Sequence, residues 1–258
     1  MVKRPVIGLN MDVQRLQRLP YGRLWLHAAY ADCVERAGGV PLILPPYLEI
    51  ELFKETLPQL DGFCLIGGED YTPALYGGRP QRTEELTHDR RSRFDWVLTK
   101  YLLEETTLPV FGVCGGQQLM SLVRGAGLVQ DIRTEWPGIA GKPPLPHAGR
   151  ERKDNMGYRH DVRVEPKTML AQALGTDRIV STNSHHHQAV HPDRVGECLV
   201  ATAWTEDGMV EATEAAPGSD LAKDRRFVLG VQWHPERMPF DETQQALFRA
   251  LVKAADGQ

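Results

Sequence analysis

Two hydrophobic periods alternate along the first half of the chain. "RPVIGLN" (4–10), "VPLILPP" (40–46), "DGFCLIGG" (61–68) and "LPVFGVC" (108–114) are short apolar runs closed by turn residues, as buried strands are. Between them, "RLWLHAAYADCVERAGG" (23–39) carries apolar residues at helical spacing and stops at Gly38-Gly39. A short helix is expected around 49–57 and a longer one over 92–106. Strands alternating with helices predict an α/β fold with a parallel sheet covered on both faces. The active site of such a sheet lies at the carboxyl ends of its strands.

The second half reads differently. "HDVRVEP", "RIVSTN", "ECLVATAWTEDG", "MVEATEA" and "RFVLGVQWHPE" are strand-like, several of them short and separated by turns, so part of this half is expected to be antiparallel. Residues 134–157 turn to Pro, Gly and charge, which suggests a loop or lid, since strands resume on both sides. The end, "DETQQALFRALVKAA", is an amphipathic helix with an acidic start and apolar positions at Leu247, Phe248, Leu251 and Val252. No internal repeat is visible.

Composition narrows the class. With 258 residues, 41% hydrophobic and 25% charged, the chain can be one large α/β domain or two small ones, and it can bury a full core. A net charge of -4 points to neither nucleic acid nor an acidic membrane. The basic cluster Arg90, Arg91 and Arg93, flanked by Asp89 and Asp95, reads as a solvated helix start. The opening residues lack the apolar core of a signal peptide, and no stretch approaches the ~18 apolar residues of a membrane span. Cys33, Cys64, Cys114 and Cys198 lie far apart, without a C-x-x-C pair, so neither a disulfide framework nor a zinc ribbon is expected. A reducing cytoplasm fits best.

Candidate chemistry begins at "GVCGG" (112–116), with the spacing G-x-nucleophile-x-G at a strand-to-helix junction. Such a turn pushes Cys114 out at the strand end in a strained conformation and places it at a helix N-terminus, where the dipole favours thiolate. A plain βα turn with a buried cysteine is the competing reading. A thiolate nucleophile needs a base and the base an orienting group. In "GVQWHPE" (230–236) an extended chain puts His234 and Glu236 on one side, so Glu236 can fix the imidazole tautomer. The Gly115 amide and that of Gly67 or Gly68 are candidate oxyanion donors. "NSHHHQAV" (183–190) suggests a metal, but three adjacent histidines cannot converge, and no carboxylate or cysteine stands at ligand spacing nearby. A polar pocket wall without metal is the expectation.

These segments together resemble the class I glutamine amidotransferase-like superfamily, and within it the peptidase C26 group of γ-glutamyl-γ-aminobutyrate hydrolases. The likeness runs over nearly the whole chain and rests on "GGEDYTPALYGG" (67–78), "GVCGGQQL" (112–119), "NSHHHQAV" (183–190) and "GVQWHPE" (230–236), in that order. An order of nucleophile, His, Glu also separates the chain from α/β-hydrolases.

The resemblance implies a flavodoxin-like three-layer α/β/α fold, mostly parallel with some antiparallel strands in the second half, spanning 1–258 as a single domain. It further implies a Cys114-His234-Glu236 triad with Gly68 and Gly115 as oxyanion donors. Gln118 would help hold the γ-glutamyl group, and Asn183, Ser184 and His186 would line the same pocket. The implied reaction is cleavage of a small γ-glutamyl amide, of the kind met in polyamine and γ-aminobutyrate metabolism, through a cysteine thioester and without a cofactor or metal. The alternative is a glutaminase subunit feeding ammonia to a separate synthase. A binding protein built on the same groove is the weakest reading. A homodimer and a synthase partner in trans both stay open. Two departures from the family pattern stand out. Gly115 occupies a place where these hydrolases usually carry arginine, and the Arg-Asp pair before the nucleophile strand is blurred into "RRSRFD" (90–95).

Overall fold

Each apolar run of the first half is a strand in the computed structural model, which describes residues 3–16, 22–81, 85–139, 142–148 and 158–257. The chain order begins β1 (Val6–Asn10), β2 (Asp12–Gln14), β3 (Arg23–Trp25), α1 (Ala28–Arg36), β4 (Val40–Leu44), α2 (Ile50–Thr56), β5 (Gly62–Leu65) and α3 (Asp89–Glu105). It continues with β6 (Val110–Val113), α4 (Gly115–Val123), β7 (Leu128–Val129), α5 (Ile132–Glu135), β8 (Tyr158–Val164), α6 (Met169–Leu174) and β9 (Ile179–Ser184). Last come β10 (Ala189–Val190), β11 (Leu199–Thr205), β12 (Val210–Ala215), β13 (Val228–Val231) and α7 (Glu242–Ala255).

One sheet runs through both halves in the order β4-β1-β5-β6-β13-β12-β11-β8-β9. The pairs from β4 to β13 are parallel, and those from β13 to β9 are antiparallel. This is the flanked sheet the pattern predicts, parallel across the strands of the first half and β13 and antiparallel across the rest. Because side chains alternate across a strand, β5 sends Phe63 and Leu65 to one face and Cys64 to the other. The first face is covered with Phe53 of α2, Phe94, Leu98 and Leu102 of α3, and Met120 of α4. The second is covered with Tyr30 and Val34 of α1, Leu170 of α6, and Leu247, Phe248 and Leu251 of α7. Helix α7 starts on a strong cap, with the Asp241 carboxylate accepting from the N–H of Thr243 (3.0 Å) and Gln244 (3.3 Å).

The helix expected from residue 23 begins only at Ala28. Arg23–Trp25 instead pairs antiparallel with Asp12–Gln14. All three residues are exposed, so the helical spacing of Leu24 and Trp25 had no interior to face, and strand pairing satisfies their backbone instead. Of the 134–157 stretch, Thr134 and Glu135 finish α5, and 142–148 run without regular structure apart from an isolated bridge to Ile139. Residues 140–141 and 149–157 lie outside the described residues, and with them the lid reading. No described helix is long and apolar enough to cross a membrane.

Candidate active site

Strands β5, β6 and β13 lie side by side, and their carboxyl ends deliver the three segments singled out by sequence. In register, Val113 stands opposite Val231 and Gly112 opposite Leu65. Cys114 follows directly, its N–H bonded to the Val231 carbonyl at 2.7 Å. Its backbone sits at φ 51° and ψ -110°, a region that costs a non-glycine residue strain. The neighbouring glycines make that turn feasible. A Cβ on Gly116 would collide with the Leu65 carbonyl oxygen, and one on Gly112 would come within 2.6 Å of the Met120 sulfur. Gly115 is different: a Cβ there meets nothing closer than the Gly68 nitrogen at 3.5 Å.

At the end of β13, the His234 Nδ1 and Glu236 Oε1 lie 2.7 Å apart, both side chains buried. Burial alone would pull the imidazole down. The Glu236 charge and then the Cys114 sulfur outweigh it and push His234 up to about 9. The adjoining imidazole holds the Glu236 carboxyl below its usual range, against a burial effect of opposite sign. Both shifts describe a tight His-carboxylate dyad facing the cysteine. Trp233 anchors the segment, fully buried, with its indole N–H donating to Gln244 Oε1 at 2.8 Å.

Asn183 clamps the same histidine from behind. Its Nδ2 donates to the His234 carbonyl at 2.9 Å, and its Oδ1 accepts from the His234 N–H at 2.8 Å. The expectation that Asn183 lines the pocket is therefore corrected. Both ends of its amide are spent on the His234 backbone, and its role is positional. Burial pushes the Cys33 thiol up to about 11 and that of Cys64 well above its usual value, as inert core cysteines.

The glycine turn after β5 is held by polar groups from β1, β2, α1 and α3. Tyr30 Oη accepts from the Gly67 N–H at 3.0 Å, so the Gly67 amide is engaged and Gly68 is the better candidate donor. Arg91 Nη2 donates to the Gly67 carbonyl at 2.9 Å. The same guanidinium pairs with Asp12 at 2.9 Å and Asp95 at 3.0 Å, all of it buried. Asp95 also accepts from Asn10 Nδ2 and Tyr71 Oη, each at 2.9 Å, and Asn10 Oδ1 accepts from the Ile66 N–H at 2.9 Å. Thus the solvated-helix-start reading fails for Arg91. Helix α3 begins at Asp89, so Arg91 and Asp95, four apart, share its inward face. That spacing was the available signal, and the flanking charges hid it. A Cβ on Gly68 would collide with the Arg91 guanidinium, which is why the second glycine is needed.

Two cavities meet at Cys114. One, of about 550 Å³, is lined by Tyr30, Gly67, Gly68, His185, His234 and Arg237 among others. The other, of about 800 Å³, is lined by Gly68, Asp70, Gln118, Asp131, Arg133 and Ser184 among others. Gln118 stands in its wall. However, its Nε2 already donates to the Gln188 carbonyl (2.9 Å) and to Gln232 Oε1 (3.0 Å), so only Oε1 faces a ligand. Gln232 Nε2 in turn donates to the Cys114 sulfur at 3.5 Å. Ser184 lines this cavity but donates its hydroxyl to the His147 carbonyl at 2.8 Å.

The three consecutive histidines point three ways, as their adjacency requires. The His185 ring stands 5.5 Å from that of His234, and burial and then Arg237 pull it down to about 4, so it is neutral. His187 Nε2 lies 2.9 Å from Asp70, which pushes that imidazole up. His186 contributes to the wall of the second cavity, but its Nε2 is directed at Glu211, 3.4 Å away, beside His147 and His160. Spacing within one segment could not show these three partners, which come from other parts of the chain.

A family model described as Peptidase C26 matches residues 5–236. "Putative glutamine amidotransferase Rv2859c" of Mycobacterium tuberculosis is 34% identical over 259 residues, covering 98% of this chain and 76% of that protein. "Gamma-glutamyl-gamma-aminobutyrate hydrolase PuuD" of Escherichia coli K12 is 30% identical over 255 residues, covering 98% and 92%. Among solved structures, a "putative gmp synthase subunit a protein" from Thermoplasma acidophilum superposes with a TM-score of 0.63, covering 100% of this chain and 96% of that one. At 15% identity, that last likeness concerns the fold alone.

Proposed function

The chain belongs to the peptidase C26 family, and from that premise we propose that it hydrolyses small γ-glutamyl amides through a thioester on Cys114. The observation that carries this reading is the strained Cys114 backbone beside a buried His234-Glu236 pair at the junction of two cavities. His234 takes the thiol proton as Cys114 Sγ attacks the γ-amide carbon. The developing oxyanion lies against the N–H groups of Gly68 and Gly115, a kind of contact commonly worth about 3 kcal/mol of barrier. The imidazolium then protonates the amide nitrogen and the C–N bond breaks, leaving a γ-glutamyl thioester. Water, deprotonated by His234, attacks the thioester. Glutamate leaves, and the proton returns to the sulfur. Glu236 keeps the imidazole in one tautomer and balances its charge throughout.

The second cavity suits the amino-acid end of such a substrate. Asp70 and Asp131 offer acceptors for an α-ammonium, Arg133 a partner for an α-carboxylate, and Gln118 Oε1 a further acceptor. The first cavity would then take the departing amine. A relative bearing the name of a γ-glutamyl-γ-aminobutyrate hydrolase supports this substrate class. A relative named for glutamine amidotransfer favours a second reading, a glutaminase working with a separate synthase.

One assay separates them. The purified protein is screened against γ-glutamyl-γ-aminobutyrate, γ-glutamyl polyamines, short γ-glutamyl peptides and free glutamine, alongside Cys114→Ala. The hydrolase reading expects turnover of at least one γ-glutamyl amide by the lone chain and at least a ~10⁴-fold loss in the variant. Full activity in Cys114→Ala would sink the mechanism, and an idle lone chain would favour the glutaminase.

A further inference from the structure

We propose that His147, His160, His186 and Glu211 form a buried tetrahedral Zn²⁺ site, which ties the 142–148 segment to the sheet beside the second cavity. The proposal stands independently of the hydrolase reading. One ligand atom from each of the four residues lies within 4.8 Å of every other. Measured from Glu211 Oε1, His186 Nε2 is 3.4 Å away, His160 Nε2 3.5 Å and His147 Nδ1 3.6 Å. These three separations match the edge of a tetrahedron with metal-ligand bonds of about 2.0–2.1 Å, which is about 3.4 Å, and the histidine nitrogens lie within 4.8 Å of one another.

The hydrogen-bond partners set each ring to present a lone pair inward. His147 Nε2 lies 3.2 Å from Asp207 Oδ2, His186 Nδ1 3.0 Å from the Gln188 carbonyl, and His160 Nδ1 3.4 Å from Thr182 Oγ1. The Asp207 carboxylate and the Gln188 carbonyl can only accept, so His147 Nε2 and His186 Nδ1 carry their protons outward, and the Thr182 hydroxyl can accept from His160 Nδ1 in the same arrangement, as around metal-bound imidazoles. Among the described residues the inward atoms have no hydrogen-bond partner: His147 Nδ1, His160 Nε2, His186 Nε2 and both Glu211 oxygens, all on side chains at most 5% exposed. A water molecule brings two donors, too few for four converging acceptors. A divalent cation satisfies all four, and Glu211 with Asp207 balances its charge.

Four protein ligands leave no open position, so the ion would be structural rather than catalytic. Its four ligands come from the 142–148 segment, β8, the turn after β9, and β12. The turn after β9 also carries Gln188, whose carbonyl holds Gln118 at the cavity wall. The ion would therefore brace the floor of the candidate site from outside its chemistry.

The test is a metal-binding measurement on the full chain. Elemental analysis after dialysis is expected to find about one Zn²⁺ per chain, and chelator-stripped protein to rebind one equivalent with a rise in Tm. Co²⁺ in its place should give the intense visible absorption of tetrahedral coordination. Glu211→Gln and His160→Gln should weaken Zn²⁺ binding by more than the roughly tenfold to hundredfold expected of the outer partner in Asp207→Asn. Stripped wild-type protein that takes up no Zn²⁺ at equimolar micromolar concentration would overturn the site, as would an octahedral Co²⁺ spectrum or folded variants binding as tightly as wild type. If a variant does not fold by circular dichroism, the wild-type isotherm and Co²⁺ spectrum decide alone.

Discussion

The parallel and antiparallel halves of the sheet both gather buried polar side chains, but they do it differently. At the ends of β5, β6 and β13, three neighbouring strands stop at one level, and each turn hands over a short contiguous segment: Gly67-Gly68, Cys114-Gly115 and His234-Glu236. Across β8, the turn after β9, and β12, each segment holds one member of the histidine-glutamate cluster, and the 142–148 segment supplies the fourth. The first arrangement writes its chemistry into local motifs. The second exists only once separate segments have paired, and it leaves converging acceptors that a motif would not reveal.

Three substitutions probe that contrast, beginning with the largest effect. Glu236→Gln leaves the shape of the dyad but removes its charge, and kcat is expected to fall about 10³–10⁴-fold with little change in KM, read by steady-state kinetics. Its stability cost should also depend on pH. His234 is raised from its ordinary 6.5 to about 9, so its contribution is complete below 6.5 and is lost as pH climbs through 9. Glu236 is depressed from its ordinary 4.5, so its contribution is complete above 4.5 and is lost as pH falls further. Urea denaturation at several pH values should find the widest gap between wild type and variant between about 4.5 and 6.5, closing toward 9. A gap that widens toward pH 9 would contradict the pairing.

Arg91→Met comes next. It strands the buried carboxylates of Asp12 and Asp95 and releases the Gly67 carbonyl. The expected loss is about 3–5 kcal/mol in denaturant unfolding, the cost of breaking a buried pair on one side. A change below ~1 kcal/mol would mean that the strand-end turn does not rely on this brace. The smallest structural effect is expected of Gly115→Arg, since a Cβ there meets only ordinary van der Waals contacts, the nearest being the Gly68 nitrogen at 3.5 Å. Because Gly115 is buried, its stability cost is expected at about 1 kcal/mol, well below that of Arg91→Met, as read by denaturant unfolding. The informative readout is kcat/KM across γ-glutamyl amides, where an added cation directly after Cys114 should shift preference toward acidic leaving amines.

Much of the parallel half was legible because its signals are short-range. The run "VFGV" ending at Cys114 states a buried strand and a turn within a few residues, and the glycines state where a side chain would collide. Arg91 was misread for the opposite reason. Its partner Asp95 sits one helical turn away, but Asp12 and the Gly67 carbonyl are brought in by other strands, so local charge alternation looked like a solvated surface. Asn183 was placed in the right neighbourhood with the wrong task, because a motif shows that an amide is near the site and not which groups its two ends face.

By itself the sequence determined the alternation of strands and helices, the strained cysteine turn and the His-x-Glu spacing that joins an imidazole to a carboxylate. Hydrophobic period and steric exclusion act over a few residues, so the chain carries them in plain order. Only the tertiary structure decided which glycine amide is free, which arginine is buried, and that His186 turns toward Glu211, His147 and His160 while its two neighbours turn elsewhere. Those outcomes depend on strand order and register, where distant segments meet at a few ångströms and unpaired charge becomes costly.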